Sequence, residues 1–240
     1  MSDVCLIVGA GDGTGAAVAH RFAREGFTIC AARRNGDKLL PLIDGLKAQG
    51  HAAHGHALDA RDEEQVVRLF AEIEGSIGPV GVCVFNVGGN VRIPIREMTR
   101  EKYFKVWEMS ALAGFLVCRE AARVMVPRGR GTILMTGATA SMRGGSGFAA
   151  FAGAKHALRA LAQSMARELG PEGIHVAHLV VDGGIDSEAA HVRQPDRYAR
   201  HGRAAFIDPE AIAEAYWHLH CQPRTAWTHE MDIRPAIETW

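Results

Sequence analysis

Short apolar runs alternate with amphipathic stretches along the chain. Residues 4–9, 27–32, 52–58, 80–86, 132–136 and 175–181 form apolar runs of four to eight residues, the length of strands. Between them, Val66, Phe70, Ile73 and Ile77 recur at helical spacing in 62–77, behind an acidic first turn. Leu158, Leu161, Met165 and Leu169 do the same and stop at Gly170-Pro171. Asp208-Pro209-Glu210 reads as a helix start with an N-cap, proline at N1 and an early acid, and 226–233 as a last strand. Strands alternating with helices imply parallel pairing through right-handed crossovers. Several strands are apolar on both faces, as helix layers on both sides require. The predicted fold is α/β: a doubly wound parallel sheet of about seven strands, in one domain over 1–240.

Composition narrows the function. Lys plus Arg equals Asp plus Glu at 27 each, so the chain lacks the basic excess of a dedicated nucleic-acid binder. Apolar residues make up 48% of the chain, yet none of its runs approaches the ~20 residues of a membrane span. The five cysteines show neither CxxC nor metal-ligand spacing, and are expected to be small core side chains. His54 and His56 share one side of a strand, but no carboxylate or cysteine completes a metal set, so no metal is expected. The opening Met1-Ser2-Asp3 lacks a basic region before its apolar run, so no signal peptide is expected and the cytoplasm is the expected compartment.

The first strand leads directly into Gly9-Ala10-Gly11-Asp12-Gly13-Thr14-Gly15 and then a helical run over 16–25. Small residues there let backbone approach a pyrophosphate, and the amides of the helix N-terminus face its charge. A dinucleotide is therefore the expected ligand. The second strand ends in Ala31-Ala32-Arg33-Arg34, without the acid that would accept hydrogen bonds from the ribose of NAD. Arg33 offers a fork for a 2′-phosphate, whereas Asp12 would repel one; NADP(H) is favoured over NAD(H).

The spacing Gly9-x3-Gly13-x-Gly15 resembles the loop of short-chain dehydrogenases/reductases, and further motifs follow in the family's order. Asp59 follows the third strand, where that family contacts adenine. Phe85-Asn86-Val87-Gly88 resembles its NNAG motif, and Asp182-Gly183-Gly184-Ile185-Asp186-Ser187 occupies the place of PGxxxT. The resemblance implies cofactor contacts at Gly9, Gly11, Asp12, Gly13, Thr14, Gly15, Arg33, Asp59, Asn86, Gly88, Lys155, Gly183 and Ile185.

The catalytic positions depart from that pattern. Phe151-Ala-Gly-Ala-Lys155 stands where YxxxK is expected, so the proton-donating tyrosine is a phenylalanine. Thirteen residues earlier, Ala138 replaces the usual serine, and Ser110 stands at the family's asparagine. The remaining tyrosines, Tyr103, Tyr198 and Tyr216, are remote in sequence. Lys155, Ser110 and Asp182 are the catalytic candidates; Asp182 replaces the proline expected beside the nicotinamide ring, where a carboxyl of raised pKa could donate a proton.

Two readings stay open: an NADP(H)-dependent oxidoreductase with a non-standard or water-mediated proton route, or a catalytically silent dinucleotide-binding protein serving as sensor or partner subunit. Residues 183–207 are rich in charge, Gly and His with weak periodicity, and about 185–207 is expected to be a mobile lid over a small-molecule site. Val106, Trp107, Leu112, Phe115, Leu116 and Val117 reach round most of a long helix over 103–125, which therefore needs cover on more than one side. Family members pair through this helix, so the resemblance implies a homodimer or homotetramer.

Overall fold

The computed structural model describes residues 2–238. Seven parallel strands form one sheet in the order β3-β2-β1-β4-β5-β6-β7: β1 Val4–Val8, β2 Thr28–Arg33, β3 Ala53–Ala57, β4 Val80–Phe85, β5 Gly131–Thr136, β6 Ile174–Val181 and β7 Glu230–Ile233. Strand β1 is buried at every position because both its faces are covered. Val4, Leu6 and Val8 enter the core beneath α3 (Glu63–Ser76), α5 (Ala113–Met125) and α6 (Ala149–Leu169). Cys5 and Ile7 enter the core beneath α1 (Thr14–Arg24), α2 (Leu40–Ala48) and α9 (Pro209–His220). This alternation makes the first strand apolar throughout. Helix starts follow their local chemistry: Asp62 caps α3 through Gln65 N–H, and Asp208 caps α9 through Glu210 N–H.

Three details correct the sequence pattern. The last strand is shorter than 226–233, because Arg224–Ala226 is a 3₁₀ turn and pairing begins at Glu230. The helix over 103–125 is α4 (Arg100–Trp107), a π-helical stretch Glu108–Leu112, and α5, so a wider i→i+5 turn interrupts the α-helical repeat. Residues 183–207 are not irregular: α7 (Glu188–Arg193) and α8 (Pro195–His201) fold there, and Ile185 pairs with Ile207. Helices of six and seven residues are too short to show a period. Four cysteines are buried as expected, but Cys221 is exposed at the end of α9.

Candidate functional site

The strand order reverses direction between β1 and β4, and a crevice opens beyond the carboxyl ends of the strands there. Val8 lies level with Ala32 on one side and Phe85 on the other, so the chain leaves all three strands at one edge. A cleft of about 590 Å³ results. Of the residues singled out from sequence, Gly9, Gly11, Arg33, Asp59, Asn86 and Gly88 line it. Arg34, Lys38 and Arg61 also line it, so four cationic side chains meet at one end. Lys38 and Arg61 gave no motif; only the folding of 36–39 and 59–61 against the end of β2 brings them to Arg33.

The acids at this end are already engaged. Arg61 donates to Asp59 through Nε at 2.9 Å and a terminal nitrogen at 2.5 Å, and holds its carboxyl below the ordinary range. The expected adenine contact through Asp59 therefore has Arg61 as a competitor for the same oxygens. Asp12, exposed on the glycine loop, accepts from Arg33 at 3.2 Å. Asn86 Nδ2 donates to the Gly9 carbonyl at 3.1 Å and ties β4 to the loop.

The loop's geometry fits a pyrophosphate. Gly9 has φ +92°, and a Cβ there would sit 2.5 Å from the Asn86 carbonyl oxygen. At Gly15 a Cβ would sit 2.6 Å from Ala10 Cα, so this glycine permits close packing of loop on helix. Gly11 and Gly13 differ: an added Cβ meets nothing within 4 Å, so they face open space. Helix α1 begins there with no side-chain cap and no acid in its first turn, and the buried Thr14 hydroxyl lacks a protein partner. Orphaned donors at a helix N-terminus, facing a glycine-lined space, are what an anionic phosphate group satisfies.

Lys155 lies at the other end, beneath Gly88. It is 4% exposed, and its Nζ donates to the carbonyls of Thr136 at 2.7 Å and Val87 at 3.3 Å. Burial pushes its pKa down to about 8. The Phe151 ring centroid is 6.0 Å from Nζ, and no hydroxyl belongs to Phe151 or Ala138. Of the tyrosines, Tyr216 bonds Thr136 Oγ1 at 2.6 Å in the core on the α9 side and Tyr198 stacks on His191 in α7, whereas Tyr103 packs against Gly153, on α6 between Phe151 and Lys155. Ser110 is buried in the π stretch, and its hydroxyl has no protein partner.

Asp182 is 1% exposed and accepts from Thr139 Oγ1 at 2.6 Å and from Arg143 at 3.2–3.4 Å, with Arg234 3.7 Å away. A carboxylate accepting from a hydroxyl and a guanidinium is arranged as an anchor, which speaks against the proton-donor expectation for it. It ties the loop after β5 to those after β6 and β7. Gly183 packs on Pro235, and Ile185 on Ile207, away from the cationic end of the cleft. Residues 185–207 are stapled internally: Asp186 accepts from His191 at 2.5 Å and Arg203 at 2.7 Å. Burial alone would raise the Asp186 carboxyl, but these two donors hold it below its ordinary value. Arg197 joins the segment to Glu238 at 2.5 Å. Among the described residues, no helix is long and apolar enough to cross a membrane, and no three His, Cys, Asp or Glu side chains gather as a metal ion would require.

Comparison with known proteins agrees with this geometry. A family model described as short chain dehydrogenase matches residues 3–197. A 3beta-hydroxysteroid dehydrogenase of Mediterraneibacter gnavus is 30% identical over 185 residues, 77% of this chain and 66% of that enzyme. Among solved structures, a short-chain dehydrogenase from Rhodopseudomonas palustris is 49% identical, covers 97% of this chain and 98% of its own, and superposes with a TM-score of 0.83. A metagenomic short-chain oxidoreductase in complex with NADP shares the fold at 23% identity and TM-score 0.83, covering 98% of both chains. The ordered motifs, the sheet topology and the match over most of the length lead to one conclusion: the chain belongs to the short-chain dehydrogenase family.

Proposed function

We propose that the protein is an NADP(H)-dependent oxidoreductase of small molecules in which Lys155, in place of the family's tyrosine, holds the mobile proton. The observation that carries this reading is the buried Lys155 ammonium, beside Gly88 at the cleft. The nicotinamide cofactor, when bound, supplies the hydride. Gly11, Gly13, Thr14 and the α1 N-terminus would hold its pyrophosphate, and Arg33, Arg34, Lys38 and Arg61 a 2′-phosphate. The metagenomic protein of the same fold was solved in complex with NADP, which is in keeping with NADP(H) as the cofactor.

Two of the three ammonium hydrogens bond carbonyls, and the third meets no acceptor among the described residues. Lys155 thus retains a proton that water can carry to a developing anion, and near pH 8 it is poised to give and regain it. Asp182 holds Thr139 and Arg143 in place at the loop after β5. Residues 185–207 act as the lid, and the aromatic stripe Phe104, Trp107 and Phe115, exposed on α4 and α5, pairs with a second copy of the chain.

NADPH oxidation is to be assayed across carbonyls, enones and imines between pH 6 and 10, with NADPH and NADH binding measured alongside. The reading expects turnover that falls as pH rises through about 8, is lost in Lys155→Met, and comes with weaker NADPH binding in Arg33→Ala. The absence of any hydroxyl donor at Phe151 and Ala138 favours the second reading, a binding protein without turnover. Tight NADPH binding with no oxidation of any panel member would establish that second reading instead.

A further inference from the structure

Two acids, Asp59 and Asp12, pair with the cationic side chains of the cleft, and they are held very differently. Asp59 is fixed by three bonds from Arg61, one from its backbone N–H and two from its guanidinium. Asp12 has a single contact, Arg33 at 3.2 Å, and its side chain is 92% exposed. It sits between Gly11 and Gly13, where even an added Cβ would meet nothing within 4 Å. Arg33 is far better enclosed, with its side chain 24% exposed and a second bond to the Lys38 carbonyl at 3.4 Å. The guanidinium is therefore the fixed member of the pair, and the carboxylate is the one free to swing.

We propose that Asp12 is a specificity-determining residue, an internal counter-ion that occupies Arg33 until a 2′-phosphate displaces it and so limits the preference for NADP(H) over NAD(H). The inference rests on the NADP(H) reading given above. An oxygen of Asp12 and an oxygen of the phosphate compete for one guanidinium, so binding NADP(H) breaks the Asp12–Arg33 pair and leaves a carboxylate near a dianion. NAD(H) carries no such group and leaves the pair intact. Exposed ion pairs shift an equilibrium by at most about fivefold, and like-charge repulsion across water adds a factor of the same order. The predicted effect is one of tuning.

The test measures NADPH and NADH dissociation constants, by nucleotide fluorescence, for the wild type, Asp12→Asn, Arg33→Ala and the double variant. Asp44→Asn, an exposed acid on α2 outside the cleft, controls for net charge. Asp12→Asn should tighten NADPH by about fivefold at 50 mM salt and change NADH by less than twofold. The gain should shrink at 500 mM salt and fall in the Arg33→Ala background to the part that repulsion alone supplies, while Asp44→Asn changes neither nucleotide. An NADPH constant that moves less than twofold in Asp12→Asn, or an equal gain for NADH, overturns the proposal. If Arg33→Ala weakens NADPH while Asp12→Asn is inert, only the role of Asp12 falls. If Arg33→Ala leaves NADPH unchanged, or the wild type takes up neither nucleotide, the NADP(H) reading and the proposal fall together.

Discussion

Replacing Lys155 by methionine separates the cost of its buried charge from the value of its hydrogen bonds. Burial lowers the pKa from 10.5 to about 8, a difference that corresponds to about 3 kcal/mol at neutral pH. The unfolded chain binds the proton more tightly than the native one, so between these two values it carries more protons. Stability of the wild type therefore rises with pH from about 8 to 10.5, and the penalty is fully present below 8. Methionine fills nearly the same volume without a charge, but leaves the carbonyls of Thr136 and Val87 without this donor, at about 1–3 kcal/mol. At pH 7 the two effects largely offset. Their pH dependence does not. The stability of Lys155→Met minus that of the wild type should drop by about 2–3 kcal/mol between pH 7 and pH 10. Urea unfolding of both proteins at matched concentration measures this directly, since groups common to both cancel. A difference that stays flat with pH would show that Lys155 is not desolvated, and the proposed proton source would go with it.

Three further outcomes follow from the geometry. Gly9→Ala should fold poorly, because φ +92° and a Cβ 2.5 Å from the Asn86 carbonyl oxygen strain the backbone, whereas Gly13→Ala should melt like the wild type yet lose at least tenfold in dinucleotide affinity; differential scanning fluorimetry with and without NADPH distinguishes them. His178 is buried against Gly137 with Nδ1 3.1 Å from Glu230, and burial pushes its pKa down to about 4 despite that acid. It stays neutral in the native state while the unfolded chain protonates below 6.5, so stability should fall by about 3 kcal/mol from pH 6.5 to 4, and His178→Gln should flatten that part of the profile in urea melts. If two copies pair through the exposed aromatic stripe as proposed, wild type should sediment as an oligomer and Trp107→Glu, which places a charge there, as a monomer; equal masses for the two would overturn that pairing.

The strand–glycine loop–helix unit was legible because its requirement is local: a turn that admits no Cβ at Gly9 and Gly15 can be written only with glycine. The helices with caps, such as α3 after Asp62 and α9 after Asp208, were legible for the same reason. That Phe151 and Ala138 carry no hydroxyl is a matter of residue type alone. Positions whose meaning depends on what lies across space were not. Lys38 and Arg61 carry no motif, and become part of a cationic cluster only when two loops meet at the end of β2. Asp182 reads in sequence as a candidate proton donor, and its pairing with Thr139 and Arg143, roughly forty residues away in the chain, is visible only in the fold. Asp12 and Arg33 looked like opposing arguments about the cofactor and turn out to be partners. Local sterics and patterning act between neighbours in sequence, and so the order of residues suffices to establish them. Charge pairing and desolvation act between neighbours in space, and it took the packed sheet to decide which acid meets which base and which lysine is cut off from water.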